Sequence, residues 1–160
     1  MPLKVRRRPA IRTIVVLLCR IGDQPCALPL THVVETMRPL PVRAVPGMSP
    51  FIAGLALVRG VPLPVVDAGA LIGQLGTPAS RFVTLQVGSR QVVLAVQEVT
   101  GIRAMAAYPF HGLPPLLGGA QNEIVAAVRA LDAEFLWLLD AARLVPAEAW
   151  QATEPHEATA

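Results

Sequence analysis

Proline sets the outer limit on what this chain can form. Pro39, Pro41, Pro46 and Pro50 crowd one stretch, Pro62 and Pro64 interrupt an apolar run, and Pro109, Pro114 and Pro115 share one loop. Each removes a backbone donor and fixes φ, so long helices have nowhere to run, whereas short strands joined by turns fit. With twelve glycines, the sixteen prolines exclude an all-helical bundle. The 160 residues are 53% hydrophobic and 16% charged, which excludes disorder and suits one domain with a real core. No uninterrupted apolar run reaches the ~18 residues of a membrane-spanning helix, so the apolar excess goes into the interior or into interfaces.

Strand signals follow from β-branched runs bounded by turn residues. Thr13 to Ile21 reads as a strand entering a turn at Gly22-Asp23, followed by strands over Cys26 to Leu30 and His32 to Met37. The proline-rich connection leaves room for single helical turns, for instance around Ser49 to Ala53. Leu55 to Val58 and Val61 to Val66 flank Arg59-Gly60, and Pro62 and Pro64 confine the second run to an edge, a bulge or the start of pairing. Asp67 can cap a short helix, Ala68 to Leu75, that ends at Gly76. Arg81 to Val87 and Gln91 to Val99 form the clearest hairpin, around Gly88-Ser89-Arg90. Glu123 to Ala130 and Glu134 to Leu139 read as a further pair, and Asp140 opens a final helix, about Ala141 to Trp150. Eight to ten strands of this kind define a barrel or sandwich. Both halves share a grammar of hairpin, Pro-rich loop and β pair, which predicts two β units packed together. Runs apolar on both faces, such as Phe82 to Val87, predict strands shared between two cores or lying beneath a partner.

The net charge of +3 belongs to the amino-terminal arm. Lys4, Arg6, Arg7, Arg8 and Arg12 supply five of fourteen basic residues, leaving nine against eleven acids in the body. The body is therefore no polyanion binder, and the arm reads as a solvated end. Arg12 and Arg20 confine the apolar run between them, and bulky Leu18 stands where a leader peptidase needs a small residue, so we expect a cytoplasmic protein without a secretory leader. Cys19 and Cys26 lie symmetrically about Gly22-Asp23, which places them opposite one another across a two-residue hairpin. We read them as small buried hydrophobes, with a redox pair as the alternative.

No constellation for chemistry is legible. His32, His111 and His156 lack a second ligand at metal-binding spacing, and phosphate-binding and serine-hydrolase motifs are absent from the chain. No metal or cofactor is expected. Val65-Val66-Asp67-Ala68-Gly69 imitates the hydrophobic-Asp-Thr/Ser-Gly turn of aspartic proteases, but Ala68 replaces the hydroxyl residue and a second copy would have to come from a homodimer. That enzyme and a small-molecule-binding β-barrel are the alternative readings; Asp67 as a helix cap is the expectation.

Gly54-Leu-Ala-Leu-Val-Arg59-Gly60-Val-Pro-Leu-Pro64-Val-Val-Asp67 closely resembles the signature of the CheW-like family of chemotaxis coupling proteins. Gly22-Asp23 with Ala27 to Leu30, the Val33-Val34-Glu35 strand, Val45-Pro46, Pro50 to Gly54, Val92 to Val99, and Phe135 to Leu144 fall in the family's order, with Gln97 where the family usually has Asp. The resemblance implies two five-stranded, SH3-like barrels sharing a core, with short helices and a carboxy-terminal helix, over residues 13–150 between a basic arm (1–12) and a polar tail (151–160). It implies a non-catalytic adaptor whose partners are the regulatory domain of a CheA-type histidine kinase and the cytoplasmic tip of a chemoreceptor, at receptor arrays on the inner face of the membrane. No nucleic acid and no membrane insertion are expected. The resemblance assigns Val33, Val34, Glu35, Arg59 and Gly60 to partner binding and Gly54, Pro64 and Asp67 to the structural motif. Glu35 and Arg59 are expected to form a charge-assisted hydrogen bond that orients the receptor-facing surface. Val33 and Val34 alternate across their strand, so at most one of them faces a partner.

Overall fold

In the computed structural model, which describes residues 12–74, 76, 78–107, 110–112 and 124–145, short turns cut the chain into ten strands. They are β1 (Thr13–Ile21), β2 (Gln24–Pro29), β3 (Val33–Met37), β4 (Ile52–Val58), β5 (Val61–Asp67), β6 (Arg81–Val87), β7 (Arg90–Val96), β8 (Glu98–Ala106), β9 (Val125–Leu131) and β10 (Glu134–Leu139). One helical turn, α1 (Ala68–Leu71), follows β5. The turns use the residues their geometry demands: Gly22 at φ +59 between β1 and β2, and Gly88 at φ +60 between β6 and β7.

The strands form two five-stranded sheets, ordered β8-β1-β2-β10-β9 and β3-β6-β7-β5-β4. The second sheet lies wholly between β2 and β8 in the chain, so the two units are not consecutive halves. Strand β1 pairs with β8 some eighty positions away, Leu17 opposite Ile102. Periodicity reports which face of a strand is apolar and says nothing about its partner, which is why the half-by-half grammar misplaced the boundary.

Each sheet curls on itself. Strands β3 and β4 are opposite edges of the second sheet, and a flat sheet would hold them roughly 19 Å apart at about 4.8 Å per strand spacing. Yet Glu35 on β3 and Arg59, in the turn leaving β4, are in hydrogen-bond contact. The edges of the first sheet are likewise joined: Arg129 Nη1 on β9 donates to the carbonyl of Ala106 on β8, 3.4 Å, while its guanidinium lies over Phe110.

Curling gives every central strand two buried faces. Along β7, Val92, Leu94 and Val96 enter a core shared between the sheets, while Val93 and Ala95 enter the second barrel's own core with Phe82, Leu63 and Val65. Along β1 and β2, Leu17, Cys19, Ile21, Cys26 and Leu28 face the shared core, whereas Val16 and Ala27 join Met105 and Leu136 inside the first barrel. The doubly apolar run in β6 divides the same way, Phe82 inward and Val83 and Leu85 into the shared core. Thr84 is buried among the inward residues, and its hydroxyl has no hydrogen-bond partner.

Several local expectations are corrected. The strand expected to run to Val99 stops at Val96; Gln97 carries the chain between barrels, and the unforeseen β8 begins at Glu98. Its mixed polarity and central Gly101 hid it. The helix after Asp67 covers only Ala68–Leu71, because Gly73 at φ +77 turns the chain away. Ser49 to Ala53 forms a turn closed by Ile52 N–H on the Ser49 carbonyl, then enters β4. His32 belongs to a 3₁₀ turn, Leu30–His32, rather than to a strand. Of the expected carboxy-terminal helix, the described part forms a 3₁₀ turn over Ala141–Arg143, capped by Asp140 on Ala142 N–H; its remainder, within residues 146–160, lies outside the described residues, as do the basic arm through residue 11 and Glu123.

The placement of Pro62 and Pro64 is instructive. Strand β5 is interior, between β4 and β7, but it meets β7 only from Val65 onward. Against β4, Val58 opposite Val61 closes a two-residue hairpin and exchanges both hydrogen bonds, so alternation puts Leu57/Pro62 and Leu55/Pro64 at non-hydrogen-bonded positions. The missing N–H groups thus point to the side where pairing has not begun. Of the three readings, the start of pairing is the one realised.

Candidate functional site: the strap across the second barrel

A bulge decides where Glu35 points. Val33 pairs with Leu85 and Glu35 with Thr84, two steps on β3 against one on β6. Without the extra residue Glu35 would share Val33's face and meet the apolar shared core. With it, Val33 packs on the shared core, Val34 is thrown outward at 48% exposure, and Glu35 joins the face of Met37, toward the second barrel. The question of which valine faces outward is answered by this register. Strand β4 has a matching irregularity between Ile52, in the shared core, and Gly54, which lies opposite Val65.

The Arg59-Gly60 turn supplies the other half. Both residues have positive φ, +51 and +81, the type I′ geometry that matches strand twist. Glycine adopts it freely, but for arginine the left-handed region is uncommon and strained. Held there, Arg59 Nε donates to Glu35 Oε1 at 2.9 Å and Nη2 to Oε2 at 2.6 Å. This side-on, bidentate pair holds the Glu35 carboxyl below its ordinary range, first through the hydrogen bond and then through the charge of Arg59. Arg59 is 79% exposed and Glu35 25%, so the guanidinium presents its outer surface to solvent.

Around the strap the surface is apolar. Leu57, 67% exposed, and Val61 flank the turn, and a groove of about 700 Å³ runs beside them, lined by Pro41, Val42, Arg43, Leu55 and Pro62. Arg43 and Leu55 exchange N–H···O bonds of 2.9 Å across this edge. None of Leu57, Val61 or Val42 was singled out from sequence, since an exposed and a buried valine look alike until the covering element is known.

The motif residues have structural tasks. At Gly54 a Cβ would collide with the Arg43 backbone, and φ is +149. Nothing lies within 4 Å of a Cβ at Gly60, so that glycine answers to φ alone. Pro64 is buried in β5. Asp67 Oδ1 accepts from Ala70 N–H at 3.2 Å and caps α1. Among the described residues, no group of three or more His, Cys, Asp or Glu is placed to hold a metal, and no helix is long and apolar enough to cross a membrane.

Two curled five-stranded sheets over one shared core, with the edges of the second bridged by an exposed strap, define a double β-barrel. The family model of the CheW-like domain matches residues 15–149, and the chain belongs to that family. Chemotaxis protein CheW of Rhizobium meliloti (strain 1021) is 26% identical over 132 residues, covering 81% of this chain and 85% of its own. The probable chemotaxis protein CheW of Rhizobium etli is 26% identical over 124 residues, 76% and 80% of the two chains. The crystal structure of scaffolding protein TtCheW from Thermoanaerobacter tengcongensis superposes with a TM-score of 0.76 at 16% identity, over 86% of this chain and 96% of that one.

Proposed function

We propose that this chain is a non-catalytic adaptor that joins a chemoreceptor's cytoplasmic tip to the regulatory domain of a CheA-type histidine kinase, in the cytoplasm at receptor arrays. The observation that carries the reading is the strap: an arginine held in a strained turn, bound through both carboxylate oxygens of Glu35, with exposed Val34, Leu57 and Val61 around it. An exposed ion pair in a strained turn adds little to folding and organises a surface instead. Val34, Glu35, Arg59 and Gly60 form the receptor-facing surface, with Val33 fixing the strand beneath it. The aliphatic rim of Leu57, Val61 and Val42 suits apolar contact with another barrel, the architecture of the kinase regulatory domain in this family.

The test is calorimetric titration of the full chain with that kinase domain and, separately, with a receptor hairpin, before and after Arg59→Glu. The reading expects binding to both partners and at least tenfold weaker receptor binding in the folded variant. Receptor affinity unchanged by the charge reversal would remove the strap from the function, and no binding of either partner would remove the adaptor role.

A further inference from the structure

The amino-terminal hairpin carries a feature the adaptor role does not use. Cys19 and Cys26 are both free thiols, directly opposed in register, and both buried on the face that meets the second barrel. Opposed Cα atoms at such a ladder position stand about 5.5 Å apart, inside the span a disulfide bridges. We infer that Cys19 and Cys26 are a reversible oxidation site, closing a cross-strand disulfide at the seam between the barrels when a peroxide reaches them.

The step balances without a further reagent. One thiol, as thiolate, attacks a peroxide oxygen; the O–O bond breaks, leaving a sulfenic acid and water. The second sulfur then displaces that hydroxyl as water and forms the S–S bond. Two thiols lose two electrons and two protons, and the oxidant, hydrogen peroxide, becomes two waters. Side chains at this position begin about 5 Å apart at Cβ, against about 3.8 Å in a relaxed disulfide, so closure draws β1 and β2 together and stores strain. Strained bridges are the more easily reduced ones, which makes this a switch rather than a permanent staple.

Access is gated by the hairpin tip. Burial pushes the Cys19 thiol up to about 12, and burial followed by the neighbouring Cys19 pushes Cys26 up as well, so attack from the closed state is slow. The tip is fastened by two glutamines, one in the segment after α1 and one in the link between the barrels. Gln97 Oε1 accepts from Gly22 N–H at 2.6 Å, and Gln74 Oε1 accepts from Asp23 N–H at 3.1 Å. Gln74 also fills the space beside Gly22 that a Cβ would need. Release of this clasp loosens the hairpin tip, three positions from either cysteine, and opens a path to the sulfurs while β1 and β2 stay paired with β8 and β10.

The experiment treats the full chain with hydrogen peroxide and follows intact mass, thiol count after denaturation and oligomeric state, for the wild type, Gln74→Ala and Gln74→Ala/Gln97→Ala. The expected result is a monomer lighter by about 2 Da with both thiols lost, restored by dithiothreitol, and forming at least tenfold faster in the clasp variants. Should the double variant fail to fold, Gln74→Ala alone carries the rate comparison. A mass gain from sulfinic acid, covalent dimers, thiols that survive in every folded variant, or clasp variants oxidising no faster than the wild type would each overturn the proposal.

Discussion

Arg59 holds both carboxylate oxygens of Glu35 from the opposite edge of the same sheet. The contact exists because the sheet closes and because a bulge at Val34 turns Glu35 off the shared core. A carboxyl with a depressed folded pKa makes its contribution above the unfolded value and loses it as pH falls through the folded one. The Glu35 side-chain carbon should therefore titrate below 4.5 by NMR, with the strap intact at neutral pH and released in acid below that value. In Arg59→Ala the midpoint should return to the ordinary range; a midpoint equal in both proteins would contradict the strap.

The two motif glycines should separate in a denaturation experiment. Gly54→Ala forces a methyl into the Arg43 backbone and breaks the Arg43–Leu55 bonds, a loss of about 2–4 kcal/mol. Gly60→Ala meets open space and suffers only the left-handed backbone, about 1–2 kcal/mol. Urea midpoints that rank them the other way would show that the Arg43 contact does not govern Gly54.

Asp67→Ala removes the cap on Ala70 N–H and should lower stability by about 1 kcal/mol while leaving kinase-domain and receptor binding within twofold. Thermal unfolding and calorimetry on one preparation measure both. Loss of binding in a folded variant would give Asp67 a task beyond capping.

Leucines of the two classes should behave oppositely. Leu28 is fully buried in the shared core, and Leu28→Ala should remove about 2–5 kcal/mol. Leu57 stands exposed on the rim, so Leu57→Ala should change stability by about 0.5 kcal/mol or less yet weaken kinase-domain binding severalfold. Equal unfolding midpoints for Leu28→Ala and the wild type would refute the shared core.

What could be read without coordinates was local. Gly22-Asp23 between two β runs carries its own turn chemistry, and from it the opposition of Cys19 and Cys26 follows, because hairpin register depends on the turn alone. Asp67 was legible as a cap for the same reason: donor and acceptor lie three residues apart. The doubly apolar run in β6 pointed to two cores or a covering partner, since alternation exposes both faces of a strand to inspection, and the fold realises the two cores. The Arg59-Gly60 signature carried the family resemblance.

The tertiary structure decided everything that depends on distant pairing. Nothing in Val33-Val34-Glu35 says which residue is the bulge, because the irregularity exists only relative to β6. Nothing in Pro62 and Pro64 says that an interior strand can hold them; that depends on β7 arriving only at Val65. The partnership of β1 with β8 and the exposure of Leu57 depend likewise on what the folded chain lays beside them. The chain's own order thus determined turns, caps and apolar faces, which are settled by neighbours a few bonds away. Which face was shared, which was left open and which charges met across the barrel were settled by long-range closure, whose free energy belongs to no single segment.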